Sequence, residues 1–180
     1  MLEQEKKDDM IEALFKAGTH FAYAKSRRHP SVLPYIFGAK NRVEIFDLEA
    51  TSAALTKATA FVKELGRAGR MILFVGGKPE ALGAVRTVAE RLSQPYVAGR
   101  FVGGTLTNFP QIRKRVEKLL KLTAERESGE LERYTKKERL LIDRDIARLS
   151  KDFGGIVSMV TLPAAAVVVD PKHEKIVVAE

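Results

Sequence analysis

The 180 residues carry 31 Lys and Arg against 23 Asp and Glu, which gives a formal net charge of +8 at pH 7. With no Cys and 45% hydrophobic residues, the composition excludes a disulfide scaffold, a thiolate metal site and an intrinsically disordered chain. No apolar run approaches the roughly 18 residues that span a bilayer, so we expect a soluble, cytoplasmic protein with no membrane partner. The basic excess favours an anionic partner, whereas 7% aromatic residues and no Trp argue against binding single-stranded bases mainly by stacking.

The first third of the chain predicts a helix, an irregular segment, a strand and a second helix. Apolar residues at helical spacing predict a helix over residues 10–16, which Gly18 ends. Prolines and glycine punctuate residues 18–41, which we predict to be irregular. Residues 42–47 then predict a short strand, and residues 47–66 a helix with one apolar side.

Strands and helices alternate further along the chain. The apolar run MILFV at 71–75 is typical of a strand buried on both faces of a parallel sheet. A helix over 79–92, a strand over 95–98 and a second buried strand over 164–170 follow the same pattern. This alternation indicates the α/β class, with a doubly wound parallel sheet.

Two long amphipathic helices interrupt this alternation. One covers residues 110–127, and the other begins at the capping box TKKE and continues until the glycine pair at 154–155. Joined by a short polar turn, they predict an inserted, antiparallel, coiled-coil-like helical hairpin. The predicted domains are an α/β body, 1–109 with 153–180, and the inserted hairpin, 110–152.

The basic residues are unevenly distributed. Residues 1–50 hold equal numbers of acids and bases, whereas residues 51–110 have an excess of +5 and residues 111–152 an excess of +4. Within the neutral block, the stretch 25–42 contains five Lys and Arg residues and no acid. The charges therefore form a patch, and we expect the anion-binding surface to lie between residues 25 and 151.

The loop KSRRHP at 25–30 begins the candidate binding surface. An Arg guanidinium binds a phosphate with two hydrogen bonds, and a Lys supplies a point charge. No acid lies close in sequence to pair with these cations, although a solvated loop would also carry such charges. The residues of this stretch that we expect to bind a polyanion are Lys25, Arg27, Arg28, His29, Lys40 and Arg42.

A second candidate is the glycine-rich segment RFVGGTLTNF at 100–109. Its glycines allow a close backbone approach, and its Thr and Asn side chains can hydrogen-bond to phosphate or ribose oxygens. Asn108 could also cap the helix that follows. The candidate residues in this segment are Arg100, Thr105, Thr107 and Asn108.

The hairpin helices carry further candidates. Arg113, Lys114 and Arg115 stand near the start of the first helix, where the helix dipole disfavours positive charge. This local cost indicates that they interact with something outside the helix. Lys136 and Lys137, at the start of the second helix, are expected to bind the same polyanion.

The strand-to-helix turn at Gly76 and Gly77, followed by Lys78, supports an alternative function. Backbone amides in such a turn can hold a phosphate, so a nucleotide- or phosphate-binding α/β enzyme is the alternative hypothesis. Neither GxxxxGK[ST] nor GxGxxG is present, and the three His residues are scattered. We therefore predict no catalytic site, metal or cofactor, and include Lys78 among the polyanion-binding candidates.

Six sequence segments occur in the order found in one protein family. They are PYIFGAKNRVEIFDLEAT at 34–51, ILFVGGKPEA at 72–81, RFVGGTLTNF at 100–109, TKKE at 135–138, LSKDFGGI at 149–156 and VVVDP at 167–171. On these segments the chain resembles the bacterial-type small-subunit ribosomal protein two family, with an apparently short C-terminal end.

The resemblance implies a flavodoxin-like parallel sheet with helices on both faces and a protruding helical hairpin. It also implies a non-enzymatic protein of the small ribosomal subunit that binds small-subunit ribosomal RNA and supports translation. Neighbouring small-subunit proteins, including ribosomal protein number one, are the implied protein partners. By the same resemblance, the loop at 25–29, the GGTLTN segment and the base of the hairpin face RNA, and residues 176–179 form a helix although their alternation suggests a strand.

Overall fold

The fold is that of a computed structural model, which describes the backbone of residues 2–180 and the side chains from Asp9 onward. The chain forms two compact units, one ending at Glu64 and the other beginning at Leu65. In the described part of the chain, no helix is both long enough and apolar enough to cross a bilayer.

The first unit begins with helix α1, Leu2–Lys16, which confirms the predicted helix and extends it towards the N-terminus. Gly18 follows with a φ of +73°, a conformation that glycine adopts without strain. Two short 3-10 helices, Lys25–Arg27 and Pro30–Tyr35, then lead to the first strand.

The prediction that the chain is irregular up to residue 41 is wrong, because β1, Ile36–Lys40, pairs antiparallel with β2, Val43–Phe46. Asn41 and Arg42 join these strands with φ values of +53° and +67°, as a two-residue hairpin turn requires. On the other edge of β2, Phe21 forms an antiparallel bridge with Ile45. The predicted strand is therefore part of an antiparallel hairpin.

Helix α2, Leu48–Arg67, confirms the helix predicted over 47–66. Its start is fixed by Asp47, because Oδ1 of that residue accepts hydrogen bonds from the amides of Glu49 (2.8 Å) and Ala50 (3.2 Å).

The second unit has the predicted α/β character. Its elements are β3 Ile72–Gly76, α3 Pro79–Arg91, β4 Tyr96–Ala98, α4 Phe109–Glu127, α5 Lys136–Phe153, β5 Ala165–Val168 and α6 Lys175–Ala179. Within the described residues, the strands form one parallel sheet in the order β4-β3-β5. The helical α6 confirms the expectation for residues 176–179.

Helices cover both faces of β3. Leu73 and Val75 are fully buried in a core that includes apolar residues of α4 and α5. Gly76 lies on the opposite face against α3, where an added Cβ would stand 2.8 Å from Cγ2 of Val85. The central strand is thus enclosed between helices, as its unbroken apolar sequence predicts.

The long helices α4 and α5 pack antiparallel. Nζ of Lys118 lies 3.0 Å from Oδ2 of Asp145, whereas Arg113, earlier in α4, reaches residues beyond the end of α5. Between the helices, a 3-10 helix at Glu130–Arg133 and the predicted capping box complete the turn. The predicted helical pair is confirmed.

Candidate nucleic-acid interface

Arg28 in the basic loop is bonded to the protein itself. Its Nη1 atom donates to Oε1 of Glu44 over 2.6 Å, and the two side chains are only 17% and 6% exposed. No acid lies close to Arg28 in sequence, but the β1–β2 hairpin supplies one from 16 residues away. Lys25 and Arg27 are exposed on the adjoining 3-10 helix.

The remaining candidates of the first unit differ in their local roles. His29 caps the second 3-10 helix, since its Nδ1 atom accepts from the amide of Ser31 over 3.3 Å. Lys40 ends β1 and Arg42 lies in the hairpin turn, and both are exposed. The hairpin therefore presents two cations at its tip.

In the second unit, the turn at Gly76 and Gly77 already holds a carboxylate. Oε1 of Glu174, a residue that is 6% exposed, accepts from the amide of Gly77 over 3.0 Å. An added Cβ at Gly77 would also lie 2.8 Å from the carbonyl oxygen of Gly99. A protein carboxylate thus occupies the position that a bound phosphate would need, and the structure does not support the alternative enzyme.

Lys78, which follows this turn, forms an ion pair with Asp170 at the end of β5. The hydrogen bond from Lys78, with further bonds from the amides of His173 and Lys172, holds the pKa of Asp170 below its ordinary value. The Lys78 side chain remains 41% exposed, so its charge is shared between the protein and solvent.

The GGTLTN segment likewise holds a carboxylate, that of Glu180. Its Oε2 atom accepts from the amides of Leu106 (2.9 Å) and Thr107 (3.3 Å), and its Oε1 atom accepts from the amide of Gly104. Burial alone would raise the pKa of Glu180, but these backbone hydrogen bonds outweigh burial and hold the pKa below its ordinary value. The loop amides therefore bind an anion that belongs to the chain.

Side chains of the same segment divide into one internal residue and three exposed ones. Thr105 is 2% exposed, and its hydroxyl donates to the carbonyl oxygen of Val102 over 2.5 Å, so this hydroxyl is used within the protein. Arg100, Thr107 and Asn108 are exposed. Asn108 stands at the N-cap position of α4, but its side chain makes no capping hydrogen bond.

Of the three cations at the start of α4, one is hydrogen-bonded to the protein and two are exposed. Nη1 of Arg113 donates to the carbonyl oxygens of Val157 (3.1 Å) and Met159 (3.3 Å), which follow α5. The position of Arg113 near the start of α4, where the helix dipole disfavours a cation, predicts a partner outside the helix. That partner is the backbone after α5. Lys114 and Arg115 are exposed at the base of the hairpin.

Lys136 and Lys137 lie at the other end of the hairpin. They open α5 beside the capping box, in which Oγ1 of Thr135 accepts from the amide of Glu138. Because Lys118 lies opposite Asp145, the level of Lys136 and Lys137 is about 12 to 13 residues from that of Lys114, or roughly 19 Å at 1.5 Å per residue. The two groups of cations are therefore separate on the second unit.

Farther along the hairpin, cations are paired with acids. Asp145 accepts from Lys118 (3.0 Å) and from Arg148 (2.8 Å), and the hydrogen bond from Lys118 holds the pKa of Asp145 below its ordinary value. Lys121 lies 3.8 Å from Glu125. Of the charges at the base of α4, Lys114 makes no ion pair with any side chain in the described range 9–180.

The residues that sequence reasoning missed are the two acids at the ends of α6. Glu174 and Glu180 flank a five-residue apolar helix and bind the two glycine turns that had the composition of phosphate sites. No local signal could have found them, because their partnership depends on contacts 74 to 97 residues apart.

The amino-acid sequence is similar to those of known proteins over nearly its whole length. A family model described as Ribosomal protein S2 matches residues 14–180. The chain is 44% identical over 170 residues to the "Small ribosomal subunit protein uS2" of Roseiflexus castenholzii, which covers 94% of this chain and 65% of that relative. A Roseiflexus sp. protein of the same name is 42% identical with the same coverage, and that of Chloroflexus aurantiacus is 40% identical over 94% of this chain and 71% of its own length.

The chain therefore spans about 65% of the length of the two Roseiflexus relatives. The match includes every motif on which the resemblance rests, from PYIFG in the first unit to VVVDP in the second. Identity above 40% over nearly the whole chain, together with the family match, leads to one conclusion: the chain belongs to the ribosomal protein S2 family.

Proposed function

We propose that this protein is a structural constituent of the small ribosomal subunit that binds small-subunit ribosomal RNA and supports translation without catalysing a reaction. The observation that carries the proposal is the set of exposed cations that remain outside the internal ion pairs. Among the sequence-predicted candidates, those in the second unit are Arg100, Lys114, Arg115, Lys136 and Lys137, and those in the first unit are Lys25, Lys40 and Arg42.

The mechanism is neutralisation of phosphates by these side chains, with the fold of each unit fixing the positions of its own cations. Lys and Arg bind backbone phosphates irrespective of base sequence, and each contact releases counterions. Arg28, Thr105 and Arg113 contribute indirectly, because their hydrogen bonds hold the segments that carry the exposed groups. Thr107 and Asn108 add uncharged hydrogen-bonding groups beside Arg100 in sequence.

The expected setting follows from family membership. We propose a cytoplasmic, ribosome-bound protein with neighbouring small-subunit proteins as partners, and ribosomal protein number one among them. The division into an α/β body and an inserted hairpin, and the flavodoxin-like order of the sheet, are parts of the same proposal. The parallel order β4-β3-β5 with helices on both faces is compatible with that order.

Co-sedimentation tests the proposed function. The chain is mixed with small ribosomal subunits from which the S2-family protein has been removed, and the pelleted fraction is measured over a range of NaCl concentrations. We expect stoichiometric binding at low salt that is lost at high salt, since phosphate contacts weaken with ionic strength. Absence of binding at low salt would refute the proposal.

A thermal-shift control separates this function from the phosphate-binding enzyme. A ligand at 100 times its dissociation constant raises the free energy of unfolding by about 2.7 kcal/mol. We expect no shift with ATP, GTP or NAD, because Glu174 occupies the amide of Gly77. A shift that Gly77→Ser abolishes would favour the enzyme.

A further inference from the structure

One face of the β1–β2 hairpin is apolar and exposed. Phe21 is bridged to Ile45, and residues directly opposite each other in antiparallel strands place their side chains on the same face. By strand alternation Val43 shares the face of Ile45, and Lys40 pairs directly with Val43. Phe37 is the unpaired residue of a β-bulge between Ile36 and Gly38, and it directly precedes Gly38, whose partner is Ile45.

These side chains are unusually accessible. Phe37 is 80% exposed and Phe21 is 65% exposed, and Val43 is also exposed. Single exposed apolar residues are ordinary, but two largely exposed aromatic rings on one small sheet are a candidate binding surface. We call Phe21, Phe37, Val43 and Lys40 the aromatic face.

The charged residues of the segment that carries the aromatic face are positive. Residues 20–43 contain five Lys and Arg and no acid. The nearest acid along the strands, Glu44, alternates to the opposite face, where it is buried and paired with Arg28. Lys40 lies on the aromatic face itself, and Arg42 occupies the turn beside it.

Flat apolar rings bordered by cations fit an unpaired region of RNA. Bases stack on aromatic side chains while neighbouring phosphates bind Lys and Arg, and regular duplex RNA offers no exposed base faces. We propose that the aromatic face stacks unpaired bases of the bound RNA, with Lys40 and Arg42 on the adjacent phosphates. This proposal rests on the proposed function and specifies single-stranded RNA at this part of the surface.

The test compares two RNAs by fluorescence anisotropy at one fixed salt concentration. One is a hairpin with an unpaired, adenine-rich loop, and the other has the same stem closed as a blunt duplex. Loss of one base–aromatic stack weakens binding by about 5- to 100-fold. We expect Phe37→Ala to cause a loss of this size for the looped RNA with little change for the duplex, and Phe37→Tyr to retain wild-type binding.

Phe61→Ala is the matched control, because Phe61 is also exposed (55%) but lies on helix α2. We expect this variant to bind both RNAs like the wild type. Ultraviolet cross-linking of the wild type to the looped RNA should give base adducts on peptides that contain Phe21 or Phe37.

Three results would overturn the proposal. Equal binding of the looped RNA by the wild type and Phe37→Ala, with no adducts at either Phe, refutes it while leaving the proposed function intact. Binding to an acidic, aromatic-rich peptide but not to the looped RNA refutes it in favour of a protein partner. Failure of the wild type to bind any RNA or small subunit refutes both proposals.

Discussion

Arg28 and Arg113 stand in basic runs of the sequence, yet each is bonded to the protein. Arg28 pairs with a buried carboxylate 16 residues away, and Arg113 donates to carbonyl oxygens more than 40 residues away. An arginine can serve such sites because its guanidinium carries five donors in a planar fork. An Arg or Lys side chain is therefore available to a partner only where the fold does not supply a hydrogen-bond acceptor for it.

The ion pair at Arg28 gives a prediction for stability. Arg28→Ala leaves the Glu44 carboxylate buried without its cation, so we expect a loss of about 3 kcal/mol in the free energy of unfolding. Lys25→Ala, at an exposed site on the same loop, should change it by less than about 0.5 kcal/mol. Urea unfolding measures both, and equal stabilities of the two variants would show that the pair contributes nothing.

Among the structural elements, α6 depends most on charged contacts. A helix of five residues is too short to be stable by its own hydrogen bonds. Glu174 at its start and Glu180 at its end bind the amides of two glycine turns, and Val177 between them is buried in the core. These carboxylates fix α6 and both turns together.

Glu180 predicts how this attachment responds to pH. Its folded pKa lies below the ordinary value of 4.5, so its contribution is complete above pH 4.5 and is lost as the pH falls through the lowered value. We expect Glu180→Gln to be less stable than the wild type by about 2 kcal/mol at pH 7. The gap should narrow as the pH falls below 4.5. A gap that is constant over this pH range, measured by denaturant unfolding, would contradict the role of the charge.

Glycine substitutions test the turn before α3. In Gly77→Ala the new Cβ meets the Glu174 carboxylate and the carbonyl oxygen of Gly99, so we expect a loss of about 2 kcal/mol or more. Gly83 lies within α3 with nothing within 4 Å of an added Cβ. Gly83→Ala should therefore raise stability by about 0.5–1 kcal/mol. Melting temperatures that shift in the same direction would show that the turn is not tightly filled.

The sequence predicted the elements whose signals are local. Apolar periodicity located α2 to α5, and the run MILFV located the buried strand β3. Strand β1 was missed because its turn uses Asn41 and Arg42, and the left-handed conformation of Arg42 is unusual for its type. The short α6 depended on family resemblance, because its alternating apolar residues resemble a strand.

For the molecule as a whole, net charge is a poor guide to which cations are available to a partner. The net charge of +8 includes the charges of Arg28, Lys78, Arg113 and Lys118, and each of these side chains has an acceptor within the protein. These partners lie far away in sequence, so composition and local charge runs cannot identify them. What the sequence did predict is the class of fold and the segments that carry the exposed cations.

We propose that RNA binds the cations that lie outside internal ion pairs. Two variants of α4 remove the same charge: Lys114→Gln with Arg115→Gln at the exposed base, and Lys118→Gln with Lys121→Gln at positions paired with Asp145 and Glu125. Each phosphate contact contributes a slope of about −0.7 to −0.9 to log K against log salt.

The decisive measurement is this slope for binding to depleted small subunits, determined for the wild type and both variants. We predict a steep wild-type slope that becomes shallower by about 1.5 in the Lys114 and Arg115 variant and is unchanged in the Lys118 and Lys121 variant. A wild-type slope near zero, or an equal reduction in both variants, would contradict the claim.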